Sequence, residues 1–359
     1  MNPNKYIQSL QPYTLSKHAA WSHIGDPALL KLDWNESTFQ PSPRVIGALQ
    51  NLITNGALNY YPNTNNNLLR QQLAMYCAVD EANLEFYSSS DGAHEYIFRA
   101  FGNPGDTILI VGPTYDNLRV VAQASGLHAE FLNLSSDSSF SPDYKRLYKK
   151  IKEIKPSFVY LCNPNNPTST LWSVDFLEEL IREFTDTLFL IDEAYFEFDG
   201  VSVSKIASDI KNLIVSRTFS KAFGLAGIRF GYLISSLDNI SIIGRIRNGK
   251  SVNSFAQVAV MAALEDVDYM LKNVAEVREA KREFVKEFEK LCIPTFSGAS
   301  SNFVLCDFAE RASDVVEYLE RQKIFVRALP KLESGGFVRI TIGSSNDMKR
   351  VIAVIKDVM

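Results

Sequence analysis

The chain has 359 residues, of which 46% are apolar and 22% are charged. This composition is ordinary for a soluble globular enzyme and supplies enough apolar residues for a substantial core. The net charge of −4 gives no general reason to expect nucleic acid or an anionic membrane as a partner. The length predicts two domains, or one large domain with a smaller one.

The cysteines and histidines lack the spacings of a metal site or a disulfide framework. The four cysteines are widely scattered and include no Cys-x-x-Cys pair: Cys77, Cys162, Cys292 and Cys306. The N-terminus is too polar for a signal peptide, and no apolar run is long enough to span a bilayer. We therefore predict a cytoplasmic protein without a bound metal.

Residues 1–36 contain turn signals but little periodicity, which predicts an N-terminal arm. Tyr13 and Trp21 are among several apolar residues in this stretch. A disordered terminus would carry fewer of them, so an arm that packs on the rest of the chain is favoured.

Beyond the arm, helical segments alternate with apolar strands. Pro43 is expected to start a helix that runs to Leu52, and Asn66 to cap another from Leu68 to Met75. Strands are predicted at 84–87, 107–112, 129–134, 158–162, 188–192, 212–216 and 230–235. Strands separated by helices indicate a mostly parallel sheet with helices on both faces.

The last third of the chain has a different pattern of predicted helices and strands. Helices are predicted at 255–263, 274–291, 313–322 and 346–358, with strands at 303–306 and 337–342. This pattern predicts a smaller C-terminal α/β unit. A run of lysines and arginines within 145–155 alternates with apolar residues at helical spacing, and a solvated helix face is favoured over a binding patch.

Polar groups follow several of the predicted strands, at the edge where open sheets bind ligands. Ser90, Asp91 and Gly92 lie between a strand and a helix, where free backbone amides can hold a phosphate, although such residues also simply cap helices. Asp192 ends an apolar strand, and a carboxylate there is costly without a cationic partner. A magnesium site is the alternative, but no phosphate-binding loop of the Gly-x-x-x-x-Gly-Lys type precedes it.

The stretch from Thr218 to Tyr232 places Lys221 among apolar and small residues. Desolvation lowers the pKa of an amine, and a neutral amine can attack an aldehyde, so Lys221 is a candidate for Schiff-base chemistry. Thr218, Ser220 and Arg229 could converge on a phosphate. The alternative is a buried lysine whose amine reaches solvent from a glycine-rich turn.

The run Thr-Phe-Ser-Lys-Ala-Phe-Gly-x-x-Gly at 218–227 resembles the attachment motif of class II aminotransferases, which are fold type I enzymes dependent on pyridoxal 5'-phosphate. Within that group the whole chain is most similar to the histidinol-phosphate aminotransferase family. The resemblance implies an arm at 1–36, a large coenzyme-binding domain at 37–245 and a small domain at 246–359. It also implies a homodimer with shared active sites.

The resemblance assigns roles around the coenzyme. Lys221 would form the Schiff base, Asp192 would face the pyridine nitrogen, and Tyr195 and Asn166 would bind the phenolic oxygen, with Lys221, Asp192 and Tyr195 as the catalytic set. Tyr115 would stack on the ring. The residues implied at the coenzyme phosphate are Ser90, Asp91, Gly92, Thr218, Ser220, Arg229 and, from the neighbouring subunit, Tyr61.

The resemblance also assigns substrate residues. Arg339 would bind the α-carboxylate of the amino acid, with Asn302 and Asn35 nearby, and Tyr13 with Arg327 would bind a phosphate on the substrate. The chain departs from the family pattern at three places, which leaves its acceptor open: Thr14 to Lys17 lacks the usual Pro-Gly, Ser37-Thr38 replaces Asn-Pro, and Ser169 replaces glycine.

The expected activity is transfer of an amino group from an amino acid, glutamate in the first instance, to a small phosphorylated ketone. Lys221 would act as general base and acid, and Arg339 would orient the donor. The alternative enzyme is a decarboxylase of an amino-acid phosphate, because relatives with that activity share almost every coenzyme residue. A non-catalytic binding protein on the same fold is the remote alternative.

Overall fold

The computed structural model describes residues 1–8, 10–13, 19–298, 301–333 and 335–359. The described strands are β1 (Leu30–Leu32), β2 (Leu84–Tyr87), β3 (Thr107–Gly112), β4 (His128–Asn133), β5 (Phe158–Cys162), β6 (Leu188–Asp192), β7 (Leu213–Thr218), β8 (Gly231–Ser235), β9 (Thr295–Phe296), β10 (Phe303–Asp307), β11 (Ile324–Ala328) and β12 (Phe337–Thr341). The described helices are α1 (Lys5–Gln8), α2 (Pro43–Asn55), α3 (Asn67–Cys77), α4 (Ser90–Phe101), α5 (Asn117–Ala124), α6 (Tyr144–Ile154), α7 (Val174–Glu183), α8 (Ser204–Ala207), α9 (Leu237–Gly244), α10 (Ser254–Leu264), α11 (Val267–Lys290), α12 (Ala312–Arg321) and α13 (Ser345–Val358).

The larger sheet has the strand order β2-β8-β7-β6-β5-β3-β4. Strand β8 is antiparallel to both neighbours, and the other pairs are parallel. Strands β5, β6 and β7 each begin with a continuous run of apolar residues, and almost all of their residues are buried. This pattern is typical of strands that are covered by helices on both faces of a parallel sheet. The prediction of a mostly parallel sheet flanked by helices is confirmed.

The register of this sheet brings the ends of its parallel strands to one edge. Cys162 at the end of β5 pairs with Asp192 at the end of β6, and Asp192 pairs with Ser216 near the end of β7. The segments that carry Asn166, Tyr195 and Lys221 all follow directly. The candidate site therefore lies at this edge, where parallel sheets bind ligands.

The smaller sheet has the order β1-β11-β12-β10-β9, in which β1 is parallel to β11 and the other pairs are antiparallel. Its edge strand β1 comes from residues that the sequence assigned to the arm, and β1 and β11 were not predicted. The domain boundaries at 36 and 245 stay a prediction.

Most predicted helices and strands end within about three residues of the observed ones, but α11 starts at Val267 rather than Val274. The spacing of the buried residues Met270, Val274 and Val277 continues the apolar stripe toward the start of the helix. Among the described residues, no helix is both long enough and apolar enough to cross a membrane.

Candidate active site

Lys221 follows β7 and lies at the centre of the candidate site. Its Nζ donates a hydrogen bond to the Trp34 carbonyl over 3.0 Å and lies 5.8 Å from the centroid of the Tyr195 ring. Burial of the amine, together with the positive charge of Arg339, lowers the pKa of Lys221 to about 8. A substantial fraction of the amine is therefore neutral, and nucleophilic, near physiological pH.

Asp192 ends β6 and is 4% exposed. Its carboxylate accepts hydrogen bonds from the Tyr160 hydroxyl at 3.0 Å and from the Ala194 amide at 3.2 Å. Burial raises the pKa of Asp192, and the nearby His94 opposes that rise. A cationic ligand group beside Asp192 would offset the cost of keeping this carboxylate charged.

Two residues around Asp192 were missed by sequence reasoning. Tyr160 lies inside the apolar strand β5, and His94 lies on α4, where its Nε2 is 2.9 Å from Ser216 Oγ. The two rings pack edge to face with centroids 6.3 Å apart. A signal existed for Tyr160, because a tyrosine inside a fully buried strand needs a partner for its hydroxyl.

Ser90, Asp91 and Gly92, which we call the phosphate seat, form the first turn of α4. The Ser89 hydroxyl caps this helix by accepting a hydrogen bond from the Gly92 amide at 2.9 Å. Strand β8 lies against the phosphate seat so closely that a Cβ on Gly231 would lie 2.2 Å from the Ser90 nitrogen. Glycine at 231 is therefore required for the observed approach of strand and helix.

The other residues assigned to a phosphate fall into two groups. Thr218 Oγ1 lies 2.9 Å from Ser220 Oγ, so the structure brings these two hydroxyls together beside Lys221. Arg229 instead has an exposed side chain and donates to the Ala226 carbonyl at 3.1 Å, within its own turn. Its backbone φ is +62°, and Gly231 follows two residues later. The assignment of Arg229 to the phosphate stays a prediction.

Tyr115 joins the phosphate seat to the arm. Its hydroxyl donates to Asp91 Oδ2 at 3.4 Å, and its ring meets the Tyr13 ring edge to face at 5.7 Å. Burial is the main cause that raises the pKa of Tyr115, so its hydroxyl stays protonated. The arm thus reaches the site through Tyr13. The departure at Thr14 to Lys17 lies outside the described residues.

Asn35 and Asn302 form a buried network with Tyr195. Asn35 Nδ2 donates to the Tyr195 hydroxyl at 2.9 Å, and the Asn35 carbonyl accepts from Asn302 Nδ2 at 3.0 Å. Thr341 Oγ1 donates to Asn35 Oδ1 and accepts from the Asn35 amide, each at 3.1 Å. Asn35 holds this position with φ of +58°, a conformation that asparagine tolerates better than most residues.

Arg339 on β12 connects the smaller sheet to the loop after β5. Its guanidinium donates to Asn166 Oδ1 at 2.7 Å and to the Asp33 carbonyl. Its Nε and the Oδ1 of Asn302 are buried and have no hydrogen-bond partner among the described residues. One is a donor and the other an acceptor, so a ligand that carries both an acceptor and a donor would satisfy them.

Arg327 pairs with Arg339 across β11 and β12 and is half-buried. Arg327 and Tyr13 also both act electrostatically on Arg339: burial lowers the pKa of Arg339, and Arg327 adds to that effect while Tyr13 opposes it. The residues assigned to the substrate by resemblance therefore come together at one place.

Tyr61 lies apart from the others. Its side chain is 78% exposed, and the Lys250 amine lies 4.6 Å from its ring centroid. Large apolar side chains on the same part of the chain are also exposed: Ile53, Leu58, Tyr60, Leu68 and Met75.

Ser169 stands where the resemblance implies glycine, and its backbone has a conformation that favours glycine. Its φ is +56°, a conformation that costs most residues about 1–2 kcal/mol. The serine hydroxyl lies 2.5 Å from Ser301 Oγ, a contact that glycine would lack.

Comparisons with known proteins agree with one another. A statistical model of the family described as aminotransferase class I and II matches residues 27–355. A dihydroxyacetone phosphate transaminase from Campylobacter jejuni is 41% identical over 99% of this chain and 97% of its own length. A histidinol-phosphate aminotransferase from Caldanaerobacter subterraneus is 31% identical over 93% of this chain and 94% of its own length.

Among solved structures, a histidinol-phosphate aminotransferase from Sinorhizobium meliloti in complex with pyridoxal 5'-phosphate superimposes with a TM-score of 0.86. It is 26% identical, and the match covers 99% of this chain and 98% of that one.

Proposed function

The chain belongs to the class I and II aminotransferase family, and we propose that it uses pyridoxal 5'-phosphate to move an amino group from an amino acid to a small phosphorylated ketone. One observation carries this proposal. A lysine whose pKa is lowered to about 8 and a buried carboxylate follow neighbouring strands at one edge of the larger sheet, and a buried arginine of the smaller sheet contacts the loop after the next strand through Asn166.

The residues present fit the coenzyme. Lys221 would hold it covalently, the phosphate seat would receive its phosphate at the start of α4, and Asp192 would receive a protonated ring nitrogen. The hydrogen-bond partners of Asp192 that the structure describes are a hydroxyl and an amide, so this nitrogen would supply the counter-charge. When bound, pyridoxal phosphate supplies an electron-withdrawing ring that weakens a bond at the substrate's α carbon.

The chain's own residues do the rest. Arg339 binds the α-carboxylate of the amino donor, and Asn166 fixes the guanidinium in place. Once the donor's amino group has replaced it at the coenzyme, Lys221 Nζ would be free to take the proton from the donor's α carbon, and in the second half-reaction it would return one to the corresponding carbon of the ketone substrate. Its pKa of about 8 suits both directions, since both protonation states are populated near neutral pH.

The preference for a phosphorylated acceptor rests on Arg327 and Tyr13. Arg327 is half-buried beside Arg339, and Tyr13 on the arm acts electrostatically on the same guanidinium. A second cation next to a carboxylate-binding arginine suits a substrate with a dianionic end. The Campylobacter jejuni relative acts on dihydroxyacetone phosphate, and we propose an acceptor of that size and charge for this chain.

A paired comparison of acceptors tests this function. Glutamate and other amino donors are assayed with dihydroxyacetone phosphate and with dihydroxyacetone. We expect kcat/KM for the phosphorylated ketone to be at least about tenfold higher, and Arg327→Ala to remove the difference, because a charge-assisted hydrogen bond is worth roughly 1.5–3 kcal/mol. Arg321→Ala, which removes an exposed ion pair with Glu317, is the matched control.

Two outcomes contradict the proposal. If Arg327→Ala handles both acceptors as wild type does, the phosphate preference is wrong. Carbon dioxide release from an amino-acid phosphate without any ketone acceptor would instead indicate the decarboxylase.

We also propose a homodimer in which Tyr61 completes the partner's site. Several large apolar side chains within 53–75, the part of the sequence that contains Tyr61, are exposed, and burial of such side chains against a second subunit would be favourable. If Tyr61 acts across the interface, Tyr61→Ala and Lys221→Ala proteins are each nearly inactive. After unfolding and refolding together they regain activity, because each mixed dimer has one intact site. Failure to regain activity, with mixed dimers verified by mass spectrometry, contradicts a shared site.

The cysteines support a cytoplasmic location. Cys77, Cys162 and Cys306 are buried free thiols, which is the state expected in a reducing compartment.

A further inference from the structure

Lys281 is a buried lysine that the proposed chemistry does not use. It lies on α11, and the residue is 4% exposed. Its Nζ donates to the carbonyl of Ser301 at 3.0 Å and to the Ser301 hydroxyl at 3.1 Å. Burial lowers the pKa of Lys281 to about 7. A buried amine costs stability where an apolar side chain could fill the same space. The hydrogen bonds from Lys281 to Ser301 therefore indicate a role for this contact.

The Ser301 hydroxyl uses its full hydrogen-bonding capacity. It donates to the Phe303 carbonyl at 3.1 Å and accepts from Lys281. Ser169 Oγ lies 2.5 Å away on another side. A hydroxyl has one donor and two acceptor positions, so Ser169 must be the donor in this contact. Lys281 and Ser169 thus hold Ser301 from two directions.

The residues after Ser301 belong to the candidate site. Asn302 donates to the Asn35 carbonyl at 3.0 Å and accepts from the Ile342 amide at 2.8 Å. The Phe303 ring packs edge to face on Tyr195 with centroids 5.2 Å apart, and the Arg339 guanidinium lies 5.7 Å from its centroid. A shift of Ser301 would move this stretch as a unit.

Ser169 connects Ser301 to the loop on the other side of Arg339. The Ser169 amide donates to the Asn165 carbonyl at 2.8 Å, which closes the turn that contains Asn166. Asn166 is the side chain that accepts from Arg339. The contact between Ser169 and Ser301 therefore joins the two loops that flank the guanidinium.

We propose that Lys281 is a positioning residue that locks the Ser301 and Ser169 loops together and so fixes Asn302 and Asn166 beside Arg339. Its effect is on affinity for the carboxylate of the amino donor. This inference rests on the carboxylate-binding role proposed for Arg339. The Ser169 hydroxyl extends the effect of Lys281 to the Asn166 loop through its contact with Ser301.

The test compares Lys281→Met, which keeps length and removes the donors, with Lys281→Arg, which keeps a buried cation. The control is Lys286→Met on the exposed side of the same helix. Maleate, a dicarboxylate without an amino group, is titrated calorimetrically into holoenzyme and into protein stripped of coenzyme. Steady-state rates give KM and kcat for glutamate.

For Lys281→Met we expect the maleate Kd and the KM for glutamate to rise about tenfold, with kcat changed less than about threefold, since a net hydrogen bond contributes about a factor of ten. Lys281→Arg is expected to restore most of the affinity. Unchanged Kd and KM in folded Lys281→Met would overturn the inference, and a lower Tm alone would mark a purely structural lysine.

If Lys281→Met does not fold, Ser169→Gly serves as the second variant. It removes the hydroxyl and relieves the positive φ, so it is expected to fold and to raise the maleate Kd about threefold. An unchanged Kd there also overturns the inference. Arg339→Lys separates the two proposals: if it binds maleate as wild type does, the carboxylate site itself is wrong, independently of Lys281.

Discussion

Two faces of the candidate site are built in different ways. The sheet-edge face consists of Asp192, Lys221 and the phosphate seat, which follow strands of the larger sheet. The joint face consists of Asn35, Asn302 and Arg339, which come from distant parts of the chain. Asn302 donates to the Asn35 carbonyl, and Arg339 donates to the Asp33 carbonyl two residues before Asn35. In the sheet-edge face, parallel register fixes Asp192 and the strand before Lys221, and the antiparallel pairing of β2 with β8 fixes the phosphate seat. The joint face is instead fixed by a polar network between the two sheets.

This difference predicts different kinetic effects. Changes on the sheet-edge face should lower kcat or coenzyme affinity, because its groups would touch the coenzyme. Changes on the joint face should raise KM, because its groups would bind the substrate carboxylate. The Lys281 variants probe the joint face, and the three experiments below probe the sheet-edge face.

The largest effect is expected for Asp192→Asn. The amide has nearly the same shape but cannot carry the charge that would hold a proton on the ring nitrogen. Breaking a buried ion pair costs about 3–5 kcal/mol, which corresponds to a fall in kcat of about 150- to 5,000-fold, with little change in KM. Steady-state kinetics with saturating coenzyme measure both values.

The control for Asp192→Asn is Asp186→Asn, at an exposed position shortly before the same strand. If Asp192→Asn changes KM and leaves kcat intact, the division between the two faces is wrong.

A smaller effect is expected for Gly231→Ala. The new Cβ would lie 2.2 Å from the Ser90 nitrogen and 2.5 Å from the Ser89 carbonyl carbon, so the start of α4 must shift. Overpacking of this kind costs about 1–3 kcal/mol, and we expect coenzyme affinity to fall about 10- to 100-fold. Equilibrium titration of the apoprotein with pyridoxal phosphate measures this change.

Gly227→Ala is the matched control, because a Cβ there has nothing within 4 Å. Equal affinities in the two variants would mean that the phosphate does not depend on the position of α4.

The contrast between the faces also separates what the sequence predicted from what it did not. Asp192 and Lys221 stand at or just beyond the ends of long apolar strands, a local signal that requires no knowledge of distant residues. Tyr160 and His94 were missed because the sequence does not show which residue a buried tyrosine hydroxyl or histidine nitrogen contacts, even where burial of the polar group indicates that it needs a partner. Their contacts with Asp192 and Ser216 depend on how β5, β6 and α4 pack.

The joint face was found only through resemblance. Strand β1 has three residues and β11 has five, one of them a half-buried arginine, so neither produced a strong strand pattern. Without those strands, nothing in the sequence places Arg327 opposite Arg339 or brings Asn35 to Asn302. Likewise, no periodicity connects Lys281 to Ser169, which lie 112 positions apart and meet through Ser301.

The smallest effect concerns the pH dependence of coenzyme attachment. The pKa of Lys221 is lowered to about 8 by burial and by Arg339, and only the neutral amine attacks an aldehyde. With this pKa the neutral fraction rises about tenfold between pH 7 and pH 9 and then levels off. We expect the rate of pyridoxal phosphate attachment to apoprotein, followed by absorbance, to rise in the same way.

Pyridoxamine phosphate lacks the aldehyde, so its binding should show no such rise. This control separates covalent attachment from phosphate recognition at the phosphate seat. Burial also lowers the pKa of Lys281, to about 7, so the profile is repeated in Lys281→Arg, where an unchanged midpoint assigns the titration to Lys221. A rate that keeps rising tenfold per unit through pH 10 would mean that the amine is not desolvated and that the sheet-edge face does not prepare it for reaction.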